Sequence, residues 1–144
     1  MNSKITKVLT RLAIETGGYV DNRRVPMAAG IIYRKNLIAT GVNQQKTHPM
    51  MMGQGYRHDQ LYMHAEVDAI RNALRLIDKQ QLKECDLYVV RVKRPYIKSK
   101  KWIHGLAKPC AGCQCVIDDF GIKNVFWTED KDLTLFNNDS IIVT

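Results

Sequence analysis

Apolar positions recur at helical spacing near the start of the chain. Ile5, Val8, Leu9, Leu12 and Ala13 fall at i, i+3, i+4, i+7 and i+8, one face of a helix over residues 3–16. Ser3 is the expected N-cap and Gly17-Gly18 the stop. The period then changes. Residues 28–33 and 37–42 are apolar runs of strand length on either side of Arg34-Lys35-Asn36, the pattern of a β-hairpin. Residues 44–61 show no period and are rich in Gly, Met and His. They read as a long loop, of a kind more often functional than idle. From His64 the helical period returns, with Val67, Ile70, Ala73, Leu74 and Ile77 on one face. Residues 87–92 form a strand-length run. Pro109 opens a third helix through Val116, Ile117 and Phe120 that ends at Gly121, and residues 124–127 read as a fourth strand. Residues 133–136 and 141–143, around Asn137-Asn138, look extended. The order α-β-β-α-β-α-β predicts an α/β layered domain. No internal repeat or linker interrupts it, so residues 1–144 are expected to form a single domain.

Composition narrows the class. Hydrophobic residues make up 45 % and charged residues 25 % of the 144, enough apolar content to exclude a disordered or low-complexity chain. No stretch approaches the ~18 uninterrupted apolar residues of a membrane span. The polar start Met1-Asn2-Ser3-Lys4 leads no signal-peptide core, so a cytoplasmic protein with no membrane partner is expected.

The net charge of +8 is concentrated. Lys93, Arg94, Lys98, Lys100, Lys101 and Lys108 lie in a basic stretch, residues 93–108, that contains no acid. It carries +6 and leaves +2 for the remainder, whose tail from Asp118 is acidic. Tyr96 and Trp102 are interleaved with these cations. That combination suits an anionic partner, either a nucleotide phosphate or a polynucleotide, and equally a solvated surface loop kept soluble by its lysines.

Two short motifs carry the chemistry. His64-Ala65-Glu66 stands at the start of the second helix and Pro109-Cys110-Ala111-Gly112-Cys113 at the start of the third. Without an export signal the four cysteines are expected to be reduced, which favours metal binding over disulfides. One imidazole and two thiolates make three zinc ligands and leave a fourth tetrahedral position for water, the arrangement of a catalytic site. A helix N-terminus also favours thiolate over thiol. Glu66, two residues after His64, can reach the metal's water as general base and then general acid. The competing assignment is a structural zinc closed by Cys115 or His104. Cys115 lies ~200° round a helix from Cys113 and reads as a packed residue. Cys85 reads as a small buried hydrophobe, and no spacing supports a second zinc on Cys85, His48, His58 and His104.

The two motifs resemble those of the zinc-dependent cytidine/deoxycytidylate deaminase superfamily. Phe120-Gly121-Ile122-Lys123-Asn124-Val125 is similar to the way its deoxycytidylate members run from the third helix into the fourth strand. The resemblance implies a three-layer α/β/α fold with a mixed central sheet. It implies Zn2+ on His64, Cys110 and Cys113, with Glu66 carrying protons. Asn43, directly after Val42, matches the asparagine that contacts the substrate sugar, and the backbone at Ala65 would read the base edge. The implied reaction is hydrolytic deamination of the cytosine of a free nucleotide, dCMP to dUMP with release of ammonia, in a homo-oligomer. His48, Arg57 and His58 are phosphate candidates, and Met50, Met51 and Met52 could line a pocket or simply pack.

Two departures stand out. The basic insert 93–108 separates the third strand from Pro109, and the 17 residues after Trp127 do not read as the family's further helix and strand. Two alternatives therefore remain open. One is a polynucleotide deaminase acting on cytosine or adenine, with residues 93–108 tracking the backbone and Tyr96 or Trp102 stacking on a base. The other is a non-enzymatic, zinc-stabilised binding module.

Overall fold

The structure is a computed structural model that describes residues 2–17, 19–20, 23–44, 64–96, 98–130 and 141–142. Helix α1 spans Ser3–Thr16. Its N-cap is Asn2 and not Ser3: the Asn2 carboxamide oxygen accepts from the backbone N–H of Lys4 and Ile5 at 2.9 and 3.2 Å, satisfying two first-turn donors. The buried stripe is Leu9, Thr10 and Ala13, while Val8 is half exposed. Thr10 displaces Val8 from the expected stripe because its hydroxyl pairs with the ring Nε2 of His104 at 3.0 Å.

β1 (Tyr19–Val20) and β2 (Arg23–Arg24) form a small antiparallel ribbon. β3 (Met27–Tyr33) and β4 (Asn36–Val42) are the expected hairpin. Arg34 and Lys35 close it in left-handed conformations, φ 50° and 69°, whose twist matches that of the strands. α2 (Ala65–Ala73) follows, shorter than its apolar period because residues 74–76 turn, although Leu74 and Ile77 still pack against the core. A short α3 (Lys79–Leu82) begins at Asp78, whose side chain accepts from the N–H of Gln81 while Gln81 accepts from that of Asp78, a capping box. β5 (Asp86–Lys93), β6 (Lys101–Gly105), α4 (Ala111–Phe120), β7 (Asn124–Trp127) and β8 (Ile141–Ile142) complete the order.

The central sheet is mixed. β4, β3, β5, β6 and β8 lie side by side, and β7 joins β5. β5 is antiparallel to β3 along most of its length, and its other edge is divided. Asp86 to Val89 pair in parallel with β7, and Arg91 to Lys93 pair antiparallel with β6. Thr128 stitches the division. Its Oγ1 accepts from the Arg91 N–H at 3.1 Å and donates to the Gly105 carbonyl at 2.7 Å.

The insert 93–108 is thus no free loop. Five of its residues form β6, which pairs with β5 on one side and β8 on the other. Trp102 is only 5 % exposed, packs on the α1 face and carries the Arg94 guanidinium 4.7 Å from its ring centre. That burial removes Trp102 as a stacking surface for a base. Tyr96, 66 % exposed, keeps its ring in solvent.

Three layers result. On one face α1 packs Leu9 and Ala13 against Ala28, Ile32, Val90, Val92 and Trp102. On the other, Ala29, Ile31, Leu87 and Val89 meet Ala65, Val67 and Ile70 of α2 and Cys113, Val116 and Ile117 of α4. Each fully buried aliphatic side chain contributes about 1.5–3 kcal/mol. This is the α/β/α arrangement with a mixed sheet that the resemblance implies. Among the described residues no helix is long and apolar enough to cross a membrane.

Candidate functional site

Two helix N-termini converge. His64 is the N-cap of α2 and Cys110 the N-cap of α4, with Cys113 at the third helical position. Cys110 Sγ takes the capping role, accepting from the Cys113 N–H at 3.5 Å, and the left-handed Gly121, φ 68°, ends the helix. Both helices point their positive ends into the space between them, where negative charge is stabilised.

α2 is held against β4 by contacts that have no chemistry of their own. A Cβ at Gly41 would lie 2.6 Å from the Ala65 carbonyl oxygen and 2.7 Å from the Asp68 carbonyl carbon, and closer still to the Ala69 nitrogen. Only a glycine lets the helix backbone come this near. Asp68, 3 % exposed, accepts from the Val42 N–H at 3.1 Å and from Gln44 at 3.0 Å, and pairs with Arg71 at 2.6 Å. Asn72 donates to the Thr40 carbonyl at 2.8 Å. These contacts fix the start of α2, and with it His64 and Glu66.

His64 Nδ1 lies 3.0 Å from Cys113 Sγ and 3.4 Å from Cys110 Sγ. The three donor atoms all lie within 4.8 Å of one another, and they are the His/Cys/Cys group found among the described residues. One imidazole with two thiols is a donor set that suits zinc. Hydrogen bonding from Cys113 is the chief influence that pushes the Cys110 thiol down to about 4, with help from His64 and the Cys113 N–H against burial. The same shared bond, with burial, pushes Cys113 up.

Glu66 is 2 % exposed. Burial pushes its carboxyl above the usual carboxylate range, opposed in part by His64. Its Oε1 is buried without a hydrogen-bond partner. Such an orphan acceptor is costly unless the site is completed by something it can bond. A buried acid with one oxygen left unbonded, beside an imidazole and two thiols, fits a metal-dependent proton-transfer site.

The structure places the remaining expected residues as follows. Asn43, 5 % exposed, donates to the Val25 carbonyl at 2.7 Å and accepts from the Met27 N–H at 3.1 Å, so its carboxamide is oriented by the chain entering β3. Ala65 is fully buried in the first turn of α2, whose amides have no acceptor within the helix. His104 belongs with Thr10 on the opposite face of the sheet and takes no part in the site. Cys115 is exposed, not packed, because α4 turns it toward solvent. Cys85 is buried as expected, and burial with Asp86 and Glu84 pushes its thiol up to about 11. His48, Met50, Met51, Met52, Arg57 and His58 lie outside the described residues. Gly41, Asp68 and Asn72 were not singled out from the sequence. Asp68 and Asn72 sit at i+2 and i+6 from Glu66, where acids and amides in a helix ordinarily face water.

Comparison with known proteins agrees with this geometry. The family model described as the cytidine and deoxycytidylate deaminase zinc-binding region matches residues 3–129. Among solved structures, the guanine deaminase from Bacillus subtilis superposes with a TM-score of 0.57 at 27 % identity, over 90 % of this chain. The match covers 65 % of that protein, so the present chain spans just under two thirds of its length. The dCMP deaminase from the cyanophage S-TIM5 superposes with a TM-score of 0.51 in its apo form and 0.53 in complex with dCMP and dUMP. These matches are 16 % identical and cover 92 % and 93 % of this chain and 88 % of that one; at such identity they bear on the fold alone. No curated protein sequence matches. The family match runs from α1 through β7 and takes in both motif helices, and the chain belongs to the cytidine and deoxycytidylate deaminase family with its zinc-binding region.

Proposed function

We propose that this chain is a zinc-dependent hydrolase that deaminates the cytosine ring of a free nucleotide, with dCMP to dUMP as the reaction, and that it works as a cytoplasmic homo-oligomer built on one domain, residues 1–144. His64 Nδ1, Cys110 Sγ and Cys113 Sγ would hold the ion. Zinc bound there supplies Lewis acidity, lowering the pKa of a coordinated water from about 16 toward 7. Glu66 would take a proton from the attacking water and deliver it to ring N3, then carry the second proton to the exocyclic amine. The C4–N bond breaks, a C4–O bond replaces it, and ammonia leaves. The backbone N–H of Ala65 would hold the base edge and Asn43 the sugar.

The observation that carries this proposal is the buried, unpartnered Glu66 Oε1 beside the His/Cys/Cys group. A structural zinc site has no use for an orphan carboxylate. Support for a nucleotide comes from the net charge of +8 and from the cyanophage fold relative, whose structure holds dCMP and dUMP. Guanine is the competing substrate, since the 27 % identical relative is a guanine deaminase.

The test is ammonia release by zinc-loaded protein from dCMP, CMP, deoxycytidine, cytosine, guanine and a cytosine-containing single strand. We expect dCMP to give the highest kcat/KM, and Glu66→Gln to lower turnover roughly 10²–10⁴-fold with zinc retained. Preference for guanine or for the single strand, or full activity in Glu66→Gln, would overturn it.

A further inference from the structure

The odd-numbered residues of β5 face α2 and α4: Leu87 and Val89 pack in the cluster that holds Ala65 and Cys113. Arg91 continues this row two residues further on. It stands opposite Met27 of β3 on one side and Gly105 of β6 on the other. Met27 is the residue whose N–H bonds the Asn43 side chain, so Asn43, Met27 and Arg91 adjoin across one end of the sheet. Gly105 gives the arginine its path: a Cβ there would come within 3.3 Å of Arg91 Cδ.

The Arg91 guanidinium is permanently charged, yet its Nε is buried with no hydrogen-bond partner. The nearby acid does not supply one. Asp130 bonds Lys93 at 2.6 Å and the Leu106 N–H at 3.2 Å. Lys93 and Ile103 are direct cross-strand partners, which puts Lys93, and Lys101 two residues from Ile103, on the same face as Arg91. The site side of the β5–β6 ribbon therefore sets Arg91, Lys93 and Lys101 against Asp130, which pairs with Lys93 and also feels Arg91, and its innermost cation has a donor left unmet. A phosphate oxygen is the acceptor that a guanidinium fork fits best.

We propose that Arg91 binds the phosphate of a mononucleotide whose base lies at His64, Cys110 and Cys113, and so makes the site specific for nucleotides over nucleosides. The proposal rests on the nucleotide-deaminase assignment above but can fail separately from it.

The experiment measures equilibrium binding of dCMP, deoxycytidine and a cytosine-containing single strand to zinc-loaded protein at one salt concentration. Glu66→Gln serves as the background, so that nothing is consumed. We expect dCMP to bind at least about tenfold tighter than deoxycytidine, the scale of a charge-assisted contact. Adding Arg91→Gln reduces that ratio about tenfold and Arg91→Lys reduces it less. Lys98→Gln, which removes the same charge from an exposed position in the connection between β5 and β6, leaves it unchanged. Because both ligands are measured on one sample, a general loss of folded protein cancels from the ratio. An unchanged ratio in Arg91→Gln overturns the proposal, as does a parent protein with no preference for the phosphorylated ligand. A strand weakened more than dCMP also overturns it and assigns Arg91 to a polynucleotide backbone. If Arg91 sets the ratio while protein with Glu66 intact releases no ammonia from dCMP, the phosphate site stands and the assigned reaction falls.

Discussion

Replacing Gly41 by alanine tests whether the position of α2 on β4 controls the metal centre. The new methyl would meet the Ala65 carbonyl oxygen at 2.6 Å, the Asp68 carbonyl carbon at 2.7 Å and the Ala69 nitrogen, all of them helix backbone. Ordinary contact begins near 3.4 Å and the Ala69 nitrogen would lie nearest, so α2 must retreat by roughly 1.1 Å. Overpacking of this kind costs about 1–3 kcal/mol. The retreat also stretches the bonds from Val42 to Asp68 at 3.1 Å and from Asn72 to Thr40 at 2.8 Å, each contributing about 1 kcal/mol. A loss of about 3–5 kcal/mol follows, which at this size lowers Tm by roughly 6–20 °C. The same shift carries His64 away from Cys110 and Cys113, so zinc affinity and turnover fall with stability. Gly30→Ala is the internal control. A Cβ there meets only the flexible ends of Leu37 and Leu9, and loses little. Thermal melting by circular dichroism, zinc content and ammonia release decide the matter. If Gly41→Ala melts within a degree or so of the parent and keeps its zinc, the claim that backbone contact at Gly41 sets the site is wrong.

Two further outcomes follow from single groups. Glu66 holds its proton more tightly folded than unfolded, so in metal-free protein it lowers stability as pH rises past the unfolded value of about 4.3. Below that value both states are protonated and the penalty vanishes. Glu66→Gln should therefore raise the Tm of metal-free protein near pH 7 and leave it nearly unchanged near pH 4, and a pH-independent difference would contradict the assigned burial cost. Thr128→Val keeps shape but strands the Arg91 N–H and the Gly105 carbonyl at the divided edge of β5, for a loss of about 2–4 kcal/mol measurable by denaturant unfolding.

Much of the fold is legible in the pattern of apolar residues because three helices and four strands bury one-sided or continuous apolar surface. α1, the β3–β4 hairpin, α2, β5, α4 and β7 all announce themselves in that way. β6 does not. Its residues Lys101-Trp102-Ile103-His104-Gly105 lie in a lysine-rich stretch, and what makes them a strand is pairing with β5 and β8, a tertiary effect that outweighs their charge. α3 was detectable, since Asp78 and Gln81 stand at capping-box spacing, but with four residues it has no apolar period to draw attention to it.

The chemistry was legible for a different reason. Metal donors, the paired helix starts and an acid two residues from a histidine are constraints on residue type at short spacing, and a sequence displays those directly. What supports them is not of that kind. Gly41 matters because a helix 24 residues later in the chain lies on it, and Asp68 because it reaches back to Val42 and Gln44. Arg91 is one more cation in a basic chain until the sheet sets it beside Met27 and Gly105 with its Nε buried. Reactive groups are therefore found by type and spacing, whereas the residues that hold them, and those that would select what they act on, are defined by neighbours distant in the chain. The basic insert joins the two. Its charge marks it in the sequence, but only its folding into a strand pairs Lys93 beside Ile103 in the sheet and buries Trp102 against α1 instead of leaving it for a base.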